Sequence, residues 1–403
     1  MGKLFYNISV RSYCLAVLLA SPFQNKARLW LKGRKDQKIR DHSNSIWFHC
    51  ASLGEFEQAK PVIERIKQRD PDLSIIITFF SPSGYEYRKD YGTADGVYYL
   101  PLDTRSNARD FLNRVNPKAA IFVKYEVWYN YFSELNQRGI SLYLISATFR
   151  KEQIYFRGYG KFMKKTLKMC NLICTQNQAS LDLLLTHGFS KAVVTGDTRY
   201  DRVLDQLESV NHNSRIEEFK RDKLLVIVGS SWQKEETLLS TFIKDKGATD
   251  VKYIIAPHDI QEKHIQEIQS KLEVKAERFT EKPKENAQVM ILDTIGQLAS
   301  AYHYADIAII GGGFSNALHN ILEPATFGIP VLYGNKHSNF PEGMELARSG
   351  GGFSISENEF STVLDALITD ESKRRKAGND SRNFVESKAG ATTKLLQQIK
   401  ELN

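Results

Sequence analysis

The sequence predicts an α/β protein made of two doubly wound, parallel-sheet domains. Three observations carry this. The chain has 403 residues, more than one ordinary hydrophobic core organises. From Ile46 onward, short β-rich runs alternate with amphipathic helical patterns, the signature of a parallel sheet covered on both faces. A polar stretch from Asp201 to Asp222 interrupts that alternation, which begins afresh at Leu224.

The strand candidates of the first series are 46–50, 74–80, 96–100, 119–123, 141–146, 172–175 and 192–195. Amphipathic segments such as 60–69, 105–115 and 181–187 lie between them. The second series has strand candidates at 224–228, 252–256, 288–292, 307–310 and 329–333. These give an N-terminal domain over 41–205, a linker over 206–222 and a C-terminal domain over 223–403. Two such domains joined once leave a cleft facing the carboxyl ends of both sheets, where open α/β sheets bind ligands.

Apolar residues at 42% and charged residues at 25% exclude a disordered chain. A net charge of +8 favours an anionic partner, whether nucleic acid, a phospholipid surface or a phosphorylated substrate. Cys14, Cys50, Cys170 and Cys174 are too few for a disulfide framework, and no second Cys or His pair has zinc-ligand spacing. They read as reduced thiols of a cytosolic compartment.

Residues 1–40 form a distinct segment. An apolar stretch, Tyr13 to Ala20, is far shorter than the roughly 20 residues of a spanning helix. Lys26, Arg28, Lys32, Arg34, Lys35, Lys38 and Arg40 follow, around Leu29, Trp30 and Leu31. This pattern suits a helix lying in the interface of an anionic leaflet. A signal peptide with a poor cleavage site at Ala20-Ser21-Pro22, or an amphipathic helix packed on the protein, are the competing readings.

The densest punctuation is in residues 307–334, where a buried strand runs into Gly311, Gly312 and Gly313, a polar loop, a short helix and another strand. The glycines let backbone approach a ligand. Asn320 is placed to cap the helix, whose amides could hold a phosphate, and Glu323 could accept hydrogen bonds from ribose hydroxyls. A tight turn with a dipole-favoured Glu is the plainer alternative. Further loops follow the other strand candidates: Gly229-Ser230-Ser231-Trp232, Ala256-Pro257-His258-Asp259 and Asp293-Thr294-Ile295-Gly296-Gln297. His258 alone fits an exposed loop histidine equally well. No P-loop or dinucleotide fingerprint occurs. No metal constellation is visible, since Asp70-Pro71-Asp72 reads as a turn, so leaving-group charge falls to amides, helix termini and Lys or Arg.

Glu55 closes a run from strand to helix, His49 to Glu55. Ser52-Leu-Gly-Glu55 fits a capping box. A helix capped at Ser52 would, however, carry Pro61 in its interior, at a cost of roughly 3 kcal/mol. A helix beginning nearer Pro61 would leave the Glu55 carboxylate free at a strand's carboxyl end. Spacing leaves both readings open, and capping does not exclude catalysis.

These motifs, in order, resemble the 3-deoxy-D-manno-octulosonic acid (Kdo) transferases of lipopolysaccharide synthesis, inverting glycosyltransferases of the GT-B fold, over essentially the whole chain. His49-Cys-Ala-Ser-Leu-Gly-Glu55 looks like the family's H-x-x-S-x-G-E. Thr78 to Gly84 resembles its T-x-T-x-T-G loop, Leu100-Pro-Leu-Asp103 its Y-x-P-x-D, and Glu126-Val-Trp128 its E-L-W. Gly196-Asp-Thr-Arg-Tyr-Asp201 resembles G-N-x-K-x-D; Asp293-Thr-Ile-Gly296, His319-Asn-Ile-Leu-Glu-Pro324 and Asn339-Phe340 match the remaining elements. Lys124 stands where many members carry a first Glu. Pro257-His258 lacks the arginine of P-R-H, Gln297 replaces a Glu, Arg199 a lysine, and Ala317-Leu318 a pair of glycines.

The resemblance implies CMP-β-Kdo as donor substrate, with no separate cofactor or metal. It implies the lipid A precursor (lipid IVA) as acceptor through its 6′-hydroxyl, and work at the cytoplasmic face of the inner membrane rather than on nucleic acid. Glu55 would be the general base, with Glu126 and Arg199 stabilising the transition state. Ser230, Ser231, Pro257, His258, Ile295, Gly296, Gln297, Gly312, Gly313, Asn320, Ile321, Leu322 and Glu323 would hold CMP. The alternatives are another GT-B transferase or epimerase, or a non-catalytic, membrane-associated nucleotide-binding protein.

Overall fold

Residues 2–208, 211–247 and 250–402 are described by the computed structural model. The chain divides into two compact units, Met1–Arg202 with Ala389–Asn403, and Val203–Lys388.

Unit 1 holds a seven-stranded sheet of β1 (Ser45–Cys50), β2 (Ile75–Phe79), β3 (Gly96–Tyr99), β4 (Pro117–Val123), β5 (Ser141–Ala147), β6 (Leu172–Thr175) and β7 (Ala192–Val194), in the order β3-β2-β1-β4-β5-β6-β7. Every neighbouring pair is parallel. The two-residue period of β1 sends Trp47 into one hydrophobic cluster and Ile46 and Phe48 into another, one on each face of the sheet.

Unit 2 repeats the architecture. Its strands are β8 (Leu224–Ser231), β9 (Val251–Pro257), β10 (Ala276–Arg278), β11 (Val289–Ile291), β12 (Ile307–Ile310), β13 (Val331–Gly334) and β14 (Gly352–Ile355), in the order β10-β11-β9-β8-β12-β13-β14. Each strand candidate read from the sequence has its counterpart. The two that pattern missed, β10 and β14, are a three-residue charged edge and a glycine-led strand with only half its residues buried.

In each sheet the chain winds outward from a central strand, then returns to build the other half. The reversals fall between β1 and β4 and between β8 and β12, the switch points outside which such sheets bind ligands.

Three boundaries differ from the sequence reading. Residues 1–40 are not separate: α1 (Gly2–Ala20) and α2 (Asn25–Asp36), bent by 118° from one another, are tied into unit 1. The Tyr6 hydroxyl donates to Asp103 Oδ2 at 2.5 Å, and Asn130 Nδ2 donates to Asn7 Oδ1 at 3.0 Å. Arg34 donates to the carbonyls of Leu100 (2.9 Å) and Phe80 (2.8 Å), its guanidinium 3.8 Å over the Trp30 ring. Nor is 206–222 a free linker. Its helix Ser214–Lys220 buries Ile216 and Phe219 in unit 2, and Arg215 pairs with Glu277 at 2.7 Å. Residues 389–402 leave unit 2 for unit 1, because Asp201 accepts from the amides of Gly390 (2.5 Å) and Thr392 (2.6 Å). Leu395, Ile399 and Leu402 then fill the core beneath β1.

The first helix after β1 settles the Pro61 question. It is α3 (Leu53–Arg69), capped at Ser52 with Pro61 inside. Of the two readings that spacing left open, the cap at Ser52 holds, because burying Phe56, Ala59, Val62, Ile63 and Ile66 outweighs the amide that proline removes.

Candidate active site

At the unit 1 switch point, β1 and β4 lie side by side with His49 opposite Phe122. The first turn of α3, entered directly from β1, carries Glu55, and the turn leaving β4 carries Lys124, Tyr125 and Glu126. Adjacent strand ends therefore bring two carboxyls and an ammonium to one locality.

Glu55 is only 5% exposed. Its Oε2 accepts the Ser52 amide at 3.1 Å, so it is a cap as well as a buried acid. Burial raises its pKa; the Lys124 charge and the amides of Ser52 and Ala51 oppose that rise. Glu126 is pushed further, to about 8, first by burial and then by the Glu55 charge. The Trp128 indole, donating to Glu126 Oε2 at 3.1 Å, and Lys124 pull the other way. With its pKa near 8, Glu126 keeps its proton at neutrality.

Lys124 sits at φ +62, held by its amide's bond to the Ile145 carbonyl at 2.8 Å. The lysine that departs from the family pattern is therefore the cation acting on both carboxyls. Arg199 is engaged by Asp197. Its Nε and Nη2 donate to Asp197 Oδ2 at 2.9 and 2.7 Å. The Lys124 charge acts on both Glu55 and Glu126, and the Glu55 charge acts on Glu126.

In unit 2 the loops after β8, β9 and β12 meet in a ring cluster. The Trp232 and His258 rings stack at 5.6 Å, and His258 lies 4.8 Å from His319. Trp232 Nε1 donates to His319 Nε2 at 3.0 Å, so the proton of neutral His319 is on Nδ1. Burial and the neighbouring His258 hold His319 below the usual histidine range. Trp232 and His319 were in view as loop residues, yet nothing in the pattern showed that their rings meet.

A separate cavity of about 280 Å³ gathers Gly296, Gln297 and Glu323 with Asn213. Gln297 accepts from Asn213 Nδ2 at 3.0 Å, and Asn320 Nδ2 donates to Glu323 Oε1 at 3.0 Å. Asn320 Oδ1 also accepts the Leu322 amide. Ile295 is exposed; Pro257, Ile321 and Leu322 are buried.

The glycines behave differently from expectation. A side chain on Gly312 would meet the Ala317 carbonyl at 2.1 Å, and one on Gly313 the Gly334 amide at 2.4 Å. Their missing side chains make room for protein backbone. The Gly312 amide donates to Glu235 at 3.0 Å. Ser231 is likewise internal, its hydroxyl donating to Glu236 at 2.9 Å, while Ser230 turns the chain at φ +50. Among the described residues no group of three or more His, Cys, Asp or Glu is arranged to hold a metal ion.

Residues 24–202 match the sequence profile of the family described as 3-Deoxy-D-manno-octulosonic-acid transferase (kdotransferase). The 3-deoxy-D-manno-octulosonic acid transferase of Haemophilus influenzae is 28% identical over 384 residues, 88% of this chain and 86% of that protein. That of Aquifex aeolicus is 28% identical over 348 residues, 83% of this chain and 88% of its own length. Among solved structures, UDP-GlcNAc 2-epimerase from Neisseria meningitidis superposes with TM-score 0.63 at 14% identity, covering 88% of this chain and 99% of its own. Acinetobacter baumannii MurG gives 0.55 at 14% identity, covering 89% and 100%. At such identities these two speak for the GT-B fold alone.

Proposed function

The chain belongs to the Kdo transferase family, and from that premise we propose that it moves Kdo from CMP-β-Kdo to the 6′-hydroxyl of the lipid A precursor, with inversion and without a metal ion. The observation that carries this reading is the Glu55–Lys124–Glu126 group at the β1/β4 switch point. Glu55 takes the proton of the acceptor hydroxyl as its oxygen attacks the anomeric carbon, and CMP leaves from the opposite face. Burial makes Glu55 a stronger base than an ordinary carboxylate, and a positioned base contributes roughly 10²–10⁴-fold. Glu126, protonated, donates to the reacting sugars, and Lys124 balances the charge that stays on Glu55. Arg199, fixed on Asp197, supplies positive charge toward the transition state.

CMP is assigned to unit 2. The Trp232–His258–His319 rings offer a flat face to a pyrimidine, and neutral His319 offers its Nδ1 proton. Gly296, Gln297, Asn320 and Glu323 offer amide and carboxylate partners for ribose and phosphate.

The acceptor's lipid sets the location at the cytoplasmic face of the inner membrane. Support lies in α1, where Leu4, Phe5, Ile8, Leu15, Leu18 and Leu19 are exposed, with Phe23 just beyond it. No single helix among the described residues is long and apolar enough to cross a membrane. An apolar helix face beside a basic segment suits an anionic interface. Since α1 and α2 are packed into unit 1, exposed positions test this better than truncation. Leu15→Glu with Leu19→Glu should move the protein from membranes to the soluble fraction; unchanged partitioning would refute docking through α1.

The substrate assignment is tested by nucleotide release from CMP-Kdo against UDP-sugars, with lipid IVA present. Turnover confined to CMP-Kdo supports it, and turnover with a UDP-sugar alone would overturn it in favour of another GT-B transferase.

A further inference from the structure

Two apolar cavities flank α1. One, of about 390 Å³, is lined by Tyr6, Val10, Tyr13, Phe80 and Trp128, with Glu126 in its wall. The other, of about 400 Å³, is lined by Tyr13, Val17, Ala20, Trp30 and Phe80, with Lys26 at its margin. Tyr13 and Phe80 belong to both, so the cavities adjoin. A run of rings floors them: Trp128 is 5.0 Å from Phe80, Phe80 is 5.7 Å from Trp30, and Tyr13 is 5.8 Å from Phe80.

We infer that these cavities form one channel for a single acyl chain of the membrane-borne acceptor, an inference that rests on the acceptor being an acylated sugar phosphate. Length, polarity and charge select this occupant. The stretch of α1 from Tyr6 to Ala20 spans roughly 21 Å, more than the roughly 15 Å depth of one leaflet, so a chain drawn from the bilayer fits along it. One end opens beside the reacting carboxyl Glu126, and the other adjoins the exposed apolar end of α1 at Leu19. On the far side of Trp30 lies a third cavity, of about 740 Å³. Arg34, Lys35, Lys38 and Arg114 line it, Arg114 pairing with Asp41 at 3.4 Å. An excess of cations over acids beside an apolar trough complements a ligand that carries phosphate and hydrocarbon together. The channel would thus hold the sugar at Glu55 by its lipid rather than by sugar contacts alone.

The test uses the full chain and a dibromo-octadecanoate probe below its micelle-forming concentration, because bromine quenches indole on contact. Of the four tryptophans, Trp30 and Trp128 line the channel, whereas Trp47 is fully buried and Trp232 belongs to unit 2. Quenching should saturate at one probe per chain and weaken when Trp30 and Trp128 are both replaced by Phe. Ser9→Phe and Ala16→Phe fill the two cavities from exposed positions that folding tolerates. Each should raise the half-saturating probe concentration at least about tenfold. Quenching that never saturates, or that both substitutions leave intact, would overturn the channel. Saturable quenching without Kdo transfer would sink the catalytic reading and keep the channel; transfer without saturable quenching would sink the channel alone.

Discussion

Glu55 and Glu126 leave neighbouring parallel strands at the point where the winding of the unit 1 sheet reverses, and the charge of the first helps drive the second to a pKa of about 8. The topology itself creates the pairing: β1 and β4 are adjacent only because the chain returns across its starting strand. Protonated Glu126 carries no charge and is able to donate a hydrogen bond, so that on the proposed reading base chemistry falls to Glu55.

The pair makes both activity and stability depend on pH. Activity should rise as Glu55 ionises, above the usual carboxylate range, and fall as Glu126 loses its proton near pH 8. Glu126→Gln, which cannot ionise, should erase the alkaline limb. For stability the sign is opposite to that of a salt-bridged acid. The folded chain keeps the Glu126 proton that the unfolded chain loses, so its contribution is present below about pH 4.5 and disappears as pH rises to about 8. At pH 8 to 9 Glu126→Gln should therefore be more stable than wild type, by up to ~4 kcal/mol. A denaturant series across pH checks this; equal stability at every pH would contradict it.

Trp232 both stacks and orients. Trp232→Ala should weaken CMP binding about tenfold or more, as loss of a stacking surface costs ~1–3 kcal/mol per base. Trp232→Phe keeps a ring but removes the donor to His319 Nε2, which favours the neutral imidazole. The His319 pKa should then rise toward the ordinary value in a proton NMR titration. An unmoved His319 would deny Trp232 that role.

Asp201 fixes where residues 389–402 dock. Its carboxylate holds the amides of Gly390 and Thr392, and the helix that follows fills the core beneath β1. Asp201→Ala should cost ~1–2 kcal/mol, as losing a helix cap does, and free residues 389–402 for proteolysis before either sheet unfolds. Unaltered cleavage kinetics would show the segment is held by its apolar contacts alone.

Much of the architecture was legible because parallel strands are buried on both faces and read as continuous apolar runs, such as Ile307–Ile310. The ordered motifs located Glu55 and Glu126 at strand ends. What pattern could not supply was tertiary. The anchoring of α1 by Asp103 links residues 97 positions apart. Pro61 was weighed by local helix cost, while the buried face of α3 decided the outcome. Gly312 and Gly313 looked like ligand contacts, because only coordinates reveal that backbone already fills the space beside them. Lys124 read as a lost carboxylate until the fold placed its charge beside both surviving ones.

The central claim is that Glu55 accepts the acceptor's proton. Its most direct test is single-turnover Kdo transfer by Glu55→Gln, read by product mass. Gln keeps an oxygen for the Ser52 amide, so the fold and CMP affinity should persist while transfer slows at least about a hundredfold. Transfer at the wild-type rate by a folded, CMP-binding Glu55→Gln chain would contradict the account.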